Sequence, residues 1–200
     1  MVPIVISPDD AKKNLSGYDP KKAESVHLAS SKIADQEFST KLKENFNVEV
    51  ILMSGGSASG KTEFVAAYLD DFEGIVFDST LFSTEGARVK IKKILKAKNT
   101  PKIYAVFPDD LRRAFTAFLN RDRRFSDEHF YRTHCGSRKT LLWIAEKYPS
   151  VEIEIFESRY LERGDMSFYK YVFEDHKGMI EFLKNSQYTE EEVVDITRKV

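Results

Sequence analysis

Val48-Glu49-Val50-Ile51-Leu52-Met53-Ser54-Gly55-Gly56-Ser57-Ala58-Ser59-Gly60-Lys61-Thr62-Glu63-Phe64-Val65 is the stretch whose reading decides the fold. The apolar run before Ser54 is short and β-branched, which reads as a buried strand. Residues 55–62 then match the pattern G-x-x-x-x-G-K-[ST] in full, and the apolar positions after Thr62 open a helix. Glycines at 55 and 60 let successive N–H groups curl towards one concavity. The helix N-terminus adds partial positive charge there, and Lys61 adds a full one. A loop of this kind cradles phosphates, and Thr62 is placed to hold a magnesium ion that bridges them. Gly55, Gly56, Ser57, Ala58, Ser59, Gly60, Lys61 and Thr62 are therefore the expected ATP-binding residues, with Mg2+ on Thr62.

Bulk properties fit one domain of this class. The chain has 200 residues, 42% of them apolar and 12% aromatic, enough for a core and against disorder. Lysine and arginine number 31 against 32 acidic residues, so the balance gives no support for nucleic acid as a partner. One cysteine, Cys135, excludes an internal disulfide and suits a reducing compartment. No run approaches the ~20 apolar residues of a membrane span, so a cytoplasmic protein is expected.

Strand and helix patterns alternate along the chain. Residues 1–21, with Pro3, Pro8, Gly17 and Pro20, read as an N-terminal arm, loosely ordered or docked at a sheet edge; residues 22–200 read as a single domain. Helical spacing runs from Lys22 to Asn45. Further strands are expected at 74–78, 102–107 and 151–156, the last as an edge strand. Helices are expected at 84–98 and after Asp109 as N-cap, with a capping box at Thr189 opening a final one. The lysine-rich helix 88–98 reads as a solvated face, and Trp143 with its neighbours as core. The alternation implies a three-layer α/β P-loop NTPase fold of kinase-like type, with a mostly parallel sheet.

Asp78 ends a strand on the rim where parallel sheets place their ligands. A carboxylate there either orients magnesium or accepts the proton of an attacking hydroxyl. Ser79 and Thr80 beside it are weaker candidates. Arg121, Arg123 and Arg124 crowd a connecting loop, a costly arrangement unless an anion is near, and they suit a transferring phosphoryl group. Arg121 and Arg124 are the expected catalytic pair. Arg123, His134 and Arg138 are candidates for substrate contact, although residues 130–139 read equally well as a helix-to-helix connection broken at Gly136. The segment 156–160 sits on the same rim as supporting structure.

With those residues in place, the chain resembles the zeta-toxin group of P-loop kinases over roughly residues 48–145, with a fainter echo in the preceding helix around His27-Leu28-Ala29-Ser30. Residues 50–62 look like that family's opening strand and loop. Asp78-Ser79-Thr80-Leu81 looks like its D-G-T-L strand end with serine for glycine, and Arg121, Arg123 or Arg124, Phe125-Ser126 and His134 look like its arginine-bearing segment. The resemblance implies magnesium-dependent transfer of the ATP γ-phosphoryl to a hydroxyl of a small acceptor such as a UDP-linked amino sugar, and an inhibitory antitoxin as partner. The chain departs from the family between Thr62 and Gly74, where one helix fits and the strand with the usual base does not. Asp78 then takes the base role, or the acceptor differs, or the protein is a nucleotide-binding regulatory module. A polynucleotide kinase is the remaining alternative.

Overall fold

The computed structural model describes residues 2–161 and 165–198. Six strands form one sheet in the order β1-β3-β2-β4-β5-β6. They are β1 (Ile4–Ile6), β2 (Glu49–Ser54), β3 (Gly74–Phe77), β4 (Thr100–Pro108), β5 (Glu152–Tyr160) and β6 (Met166–Lys170). The first five run parallel, and β6 turns back antiparallel on β5. Between them lie α1 (Pro8–Lys13), a 3-10 segment (Pro20–Val26), α2 (His27–Glu44), α3 (Lys61–Tyr68), α4 (Thr84–Lys96), α5 (Leu111–Leu119), α6 (Asp127–Lys147), α7 (His176–Asn185) and α8 (Glu190–Thr197). The expected α/β architecture is the observed one.

Alternation along β2 sends its side chains to two cores. Val50 and Leu52 face Phe38 of α2, Ile91 of α4, Leu141 of α6 and Leu183 of α7. Ile51 and Met53 face Phe64 and Val65 of α3, with Phe156 and the half-buried Phe168 beside them. A strand buried on both faces reads as a continuous apolar run, which is what residues 50–53 show. A third cluster lies off the sheet, where Phe115 and Phe118 of α5 meet Phe130 of α6 and Val193 of α8, and it reaches Ala58 of the phosphate loop.

Of the two expectations for the N-terminal stretch, docking at the sheet edge is the observed one. Ile4–Ile6 adds to the sheet edge beside β3, and α1 follows, its N-cap Ser7 accepting from the Asp9 N–H. The helix expected from Lys22 begins at His27, after the 3-10 segment. Asp110, not Asp109, caps α5 by accepting from the Arg112 N–H. α6 runs unbroken through Gly136, because glycine there lets the helix approach Phe82; a Cβ would stand 2.5 Å from the Phe82 carbonyl oxygen. β5 is interior, since β6 covers its outer edge. Trp143 is half-buried, packed against the core formed by its neighbours Leu141 and Ile144. The capping box at Thr189 forms as expected.

Candidate functional site

Residues 55–60 leave the C-terminal end of β2, whose neighbours are β3 on one side and β4 on the other. That is the rim where open α/β sheets bind ligands. Gly55 adopts φ +139°, and a Cβ there would lie 2.3 Å from the Val106 carbonyl oxygen, so only glycine passes β4 this closely. Lys61 folds over the loop and donates to the carbonyls of Gly55 (3.0 Å) and Gly56 (2.8 Å) and to Ser59 Oγ (3.3 Å). Burial pushes its ammonium down to about 8, against the pull of the Asp78 charge.

The outer side of the loop is held by residues from far along the chain. The Ser57 N–H donates to Thr133 Oγ1 (3.1 Å), and His134 Nε2 donates to the Ser57 carbonyl (2.9 Å). Ser158 Oγ and Tyr160 OH donate to the carbonyls of Ser59 and Ala58, each at 2.8 Å. Four hydrogen bonds from α6 and β5 thus fix three consecutive loop residues before any ligand arrives. Such preorganisation lowers the ordering cost of binding.

Thr62 Oγ1 donates to Asp78 Oδ2 (3.0 Å), so the first hydroxyl of α3 meets the carboxylate just past β3. Burial raises the Asp78 carboxyl, while Lys61 and the Thr62 hydroxyl pull it back. A hydroxyl and a carboxylate converging beside a lysine suit a magnesium ion shared with phosphate oxygens, hard oxygen ligands being what that ion takes. Both residues line a cavity of about 200 Å³ that starts at the loop and continues past Ser79, Thr80 and Phe82 to α1 and α2.

The arginines separate by role. Arg121 lines the cavity, and its guanidinium makes no hydrogen bond or ion pair with any described residue; burial and the neighbouring Arg123 charge lower its basicity. Arg123 also lines the cavity and pairs with Asp9 (2.5 Å). Arg124 does not line it. Its side chain donates to the Leu119 carbonyl (2.9 Å) and closes the end of α5. His134 is buried beneath the loop, its ring so close to Gly56 that a Cβ there would stand 2.3 Å away, and burial pushes it down to about 3. It supports the loop and does not line the cavity. Arg138, also outside the cavity, is sandwiched between Phe107 (3.9 Å) and Tyr188 (5.0 Å). Lys90, read from sequence as part of a solvated face, reaches the cavity and pairs with Asp35 (2.7 Å).

The far wall was not anticipated. It brings together Asp9 and Lys12 of α1, His27, Ser31 and Asp35 of α2, and His129 of α6. Lys12 is 1% exposed and donates to Asp9 Oδ1 at 2.9 Å. Periodicity could not flag α1 because it is only six residues long. The one available signal was Ser7-Pro8-Asp9, a capping residue followed by proline.

Among the described residues no helix is long and apolar enough to cross a membrane. No family model and no curated protein matches the chain. Five solved chains match it in structure. One belongs to the crystal structure of AvrRxo1-ORF1:-ORF2 with ATP, at TM-score 0.51 and 10% identity over 84% of this chain and 82% of that one. At that identity the likeness is one of fold, and it agrees with the kinase-like P-loop architecture built above.

Proposed function

We propose that the protein is an ATP-dependent phosphotransferase that moves the γ-phosphoryl group to a hydroxyl of a small acceptor. The observation that carries this reading is the continuity of the cavity, which runs from the phosphate loop past Asp78 to a second polar wall. A module that only binds nucleotide has no use for that further space. The solved relative in fold was crystallised with ATP, which supports ATP as donor.

Lys61 exchanges its three loop acceptors for the outer phosphates, and its charge is worth most in that buried position. Thr62 and Asp78 would hold magnesium, which when bound draws negative charge from the phosphate oxygens. Arg121, with no hydrogen-bond or ion-pair partner among the described residues, faces the moving phosphoryl group, with Arg123 nearby. The acceptor oxygen bonds to the γ-phosphorus as the bond to the β–γ bridging oxygen breaks. ADP leaves, and the hydroxyl proton passes to Asp78 or through water to solvent. Asp78 takes one of two parts, magnesium or proton: burial raises its proton affinity, and a bound magnesium would lower it again. Arg124 and Arg138 take no part in this scheme, and His134 acts only by holding the loop.

Labelled ATP offered with UDP-linked amino sugars, nucleotides and NAD tests the reading. Label on one of them supports it. Tight ATP binding with no transfer to any acceptor would sink it. The family resemblance puts UDP-amino sugars first in that panel. Because AvrRxo1-ORF1 was crystallised with ORF2, a co-purifying partner is worth seeking alongside.

A further inference from the structure

The far wall of the cavity holds more positive charge than negative. Lys12 and Arg123 share one carboxylate, that of Asp9, at 2.9 and 2.5 Å. Arg121 beside them has no hydrogen-bond or ion-pair partner among the described residues, and Glu63 acts on it only from a distance. Lys90 and Asp35 cancel each other further along. Three cations against one anion leave an excess of two charges. The Lys12 ammonium, 1% exposed, lies over the Phe125 ring and uses one of its three donors on Asp9. Burial lowers its basicity, and burial with the Arg123 charge lowers that of Arg121. Like charges gathered in such a wall are costly to hold unless an anion joins them. A second observation points the same way. His27 and His129 line this wall with their rings 5.6 Å apart, and the Nδ1 of each is buried without a hydrogen-bond partner. His129 is only 6% exposed. Buried polar atoms normally find a partner, and a neutral imidazole can donate one N–H to an anion.

We propose that Lys12, Arg121 and Arg123 form a second oxyanion site across the cavity from the phosphate loop, that it takes a phosphate dianion, and that Asp9 is its built-in occupant. The phosphate is held here and not transferred, so the idea goes beyond the phosphotransferase reading and does not depend on it. Free phosphate and a phosphate monoester carry close to two charges at neutral pH and three acceptor oxygens. That charge matches the excess, and the Arg123 fork suits two oxygens of one group. The diphosphate inside a UDP-linked sugar matches less well, with one charge on each phosphate and no terminal group. Asp9 is placed to give way. Its side chain is 42% exposed and can turn out to water, whereas that of Lys12 cannot. The wall pushes the Asp9 carboxyl up, but Lys12 and Arg123 override this and bring it down to about 2. It therefore stays charged and neutralises part of the cluster until an anion displaces it.

Calorimetric titration of the full chain with inorganic phosphate, read alongside histidine ring NMR, tests this. The phosphate loop is kept out of the measurement in two ways, by filling it with Mg2+ and the non-hydrolysable analogue AMP-PNP and, separately, by Lys61→Met. In both backgrounds phosphate should bind and shift His27 and His129, leaving His176, bonded to the Ala145 carbonyl, still. Asp9→Asn should tighten phosphate about tenfold or more, because the competitor is gone, and Arg123→Gln should weaken it by about as much. A merely structural Asp9 would give no change or the opposite sign. Asp9→Asn leaves Lys12 short of a partner, so Lys12→Met, expected to weaken phosphate as Arg123→Gln does, carries the test if that variant does not fold. Glycerol 3-phosphate separates the two sources: tighter binding than phosphate marks a substrate's monoester, and weaker binding marks the free ion. No phosphate binding in either background overturns the inference. So does binding that Arg123→Gln leaves unchanged, a folded Asp9→Asn that does not bind tighter, or a histidine response to UDP-N-acetylglucosamine alone. Failure of AMP-PNP to bind defeats the kinase reading and leaves this site to the Lys61→Met titration.

Discussion

At the phosphate end of the cavity the chemistry belongs to one contiguous stretch of chain, shaped by backbone and pinned by four hydrogen bonds from α6 and β5. At the far end it belongs to side chains drawn from α1, α2, the residues after α5 and the start of α6, joined by ion pairs such as Asp9–Arg123. The first end is determined by local geometry that few substitutions tolerate. The second is determined by which side chains tertiary packing delivers, so it can be rebuilt without disturbing the loop. On the proposed reading, donor binding is fixed by the fold, and acceptor choice is left to the parts laid against it.

The sharpest break would come at the junction of the two ends. Asp78→Asn should lower phosphoryl transfer by roughly 10²–10⁴-fold in steady-state assays with labelled ATP, the range for loss of a proton acceptor. Calorimetry should meanwhile find ATP affinity changed far less. Lys61→Met attacks the donor end alone. Removing one charge-stabilising donor should cost about 10²–10³-fold in turnover, with ATP affinity falling in the same titration. Retained affinity would place the lysine outside the phosphate site.

Gly56→Ala tests the pinning, because the new Cβ meets the His134 ring. Overpacking of this kind costs about 1–3 kcal/mol, and a chain of this size should lose roughly 2–4 °C in Tm per kcal/mol. Differential scanning calorimetry would read it. Arg121→Ala against Arg124→Ala sharpens the division among the arginines. The first should slow transfer about tenfold or more, on the scale of one lost charged contact. The second should leave turnover alone and cost under about 1 kcal/mol of stability in urea unfolding.

The smallest effect is one of pH. His134 is held near 3 and His129 near 4 by burial, below the 6.5 of a free histidine. The unfolded chain therefore takes up protons that the fold refuses, and stability falls as pH drops from about 6.5 towards those values. Between pH 7 and pH 6 the loss is about 0.7 kcal/mol per ring. Urea unfolding at the two pH values should show a shallower dependence in His134→Gln.

The same contrast explains what could be read without the structure. The strand–loop–helix turn at residues 49–68 was legible because its shape is written in adjacent residues, and the place of Asp78 on the rim because strand ends in parallel sheets face it. Asp9 and Lys12 were not, since nothing local in a six-residue helix announces what packs across from it, and His27 showed only in the faint family echo at residues 27–30. His134 looked available for substrate because a histidine beside arginines suggests chemistry; its burial under Gly56 is a matter of tertiary placement. Gly136 looked like a helix break because close packing against Phe82 leaves no trace in the sequence. β6 escaped notice because the short alternation of Met166–Lys170 becomes a strand only by pairing with β5.

The bridge between Asp9 and Arg123 joins residues more than a hundred positions apart. During synthesis the ribosome makes the first of them on the order of ten seconds before the second, at the usual pace of elongation. Ile4–Ile6 waits in the same way for its partner strand at Gly74–Phe77. The nascent chain therefore carries its phosphate loop before it has a finished opposite wall. The residues that pin that loop, Thr133, His134, Ser158 and Tyr160, are made later still, so loop and wall are completed together only near the end of synthesis.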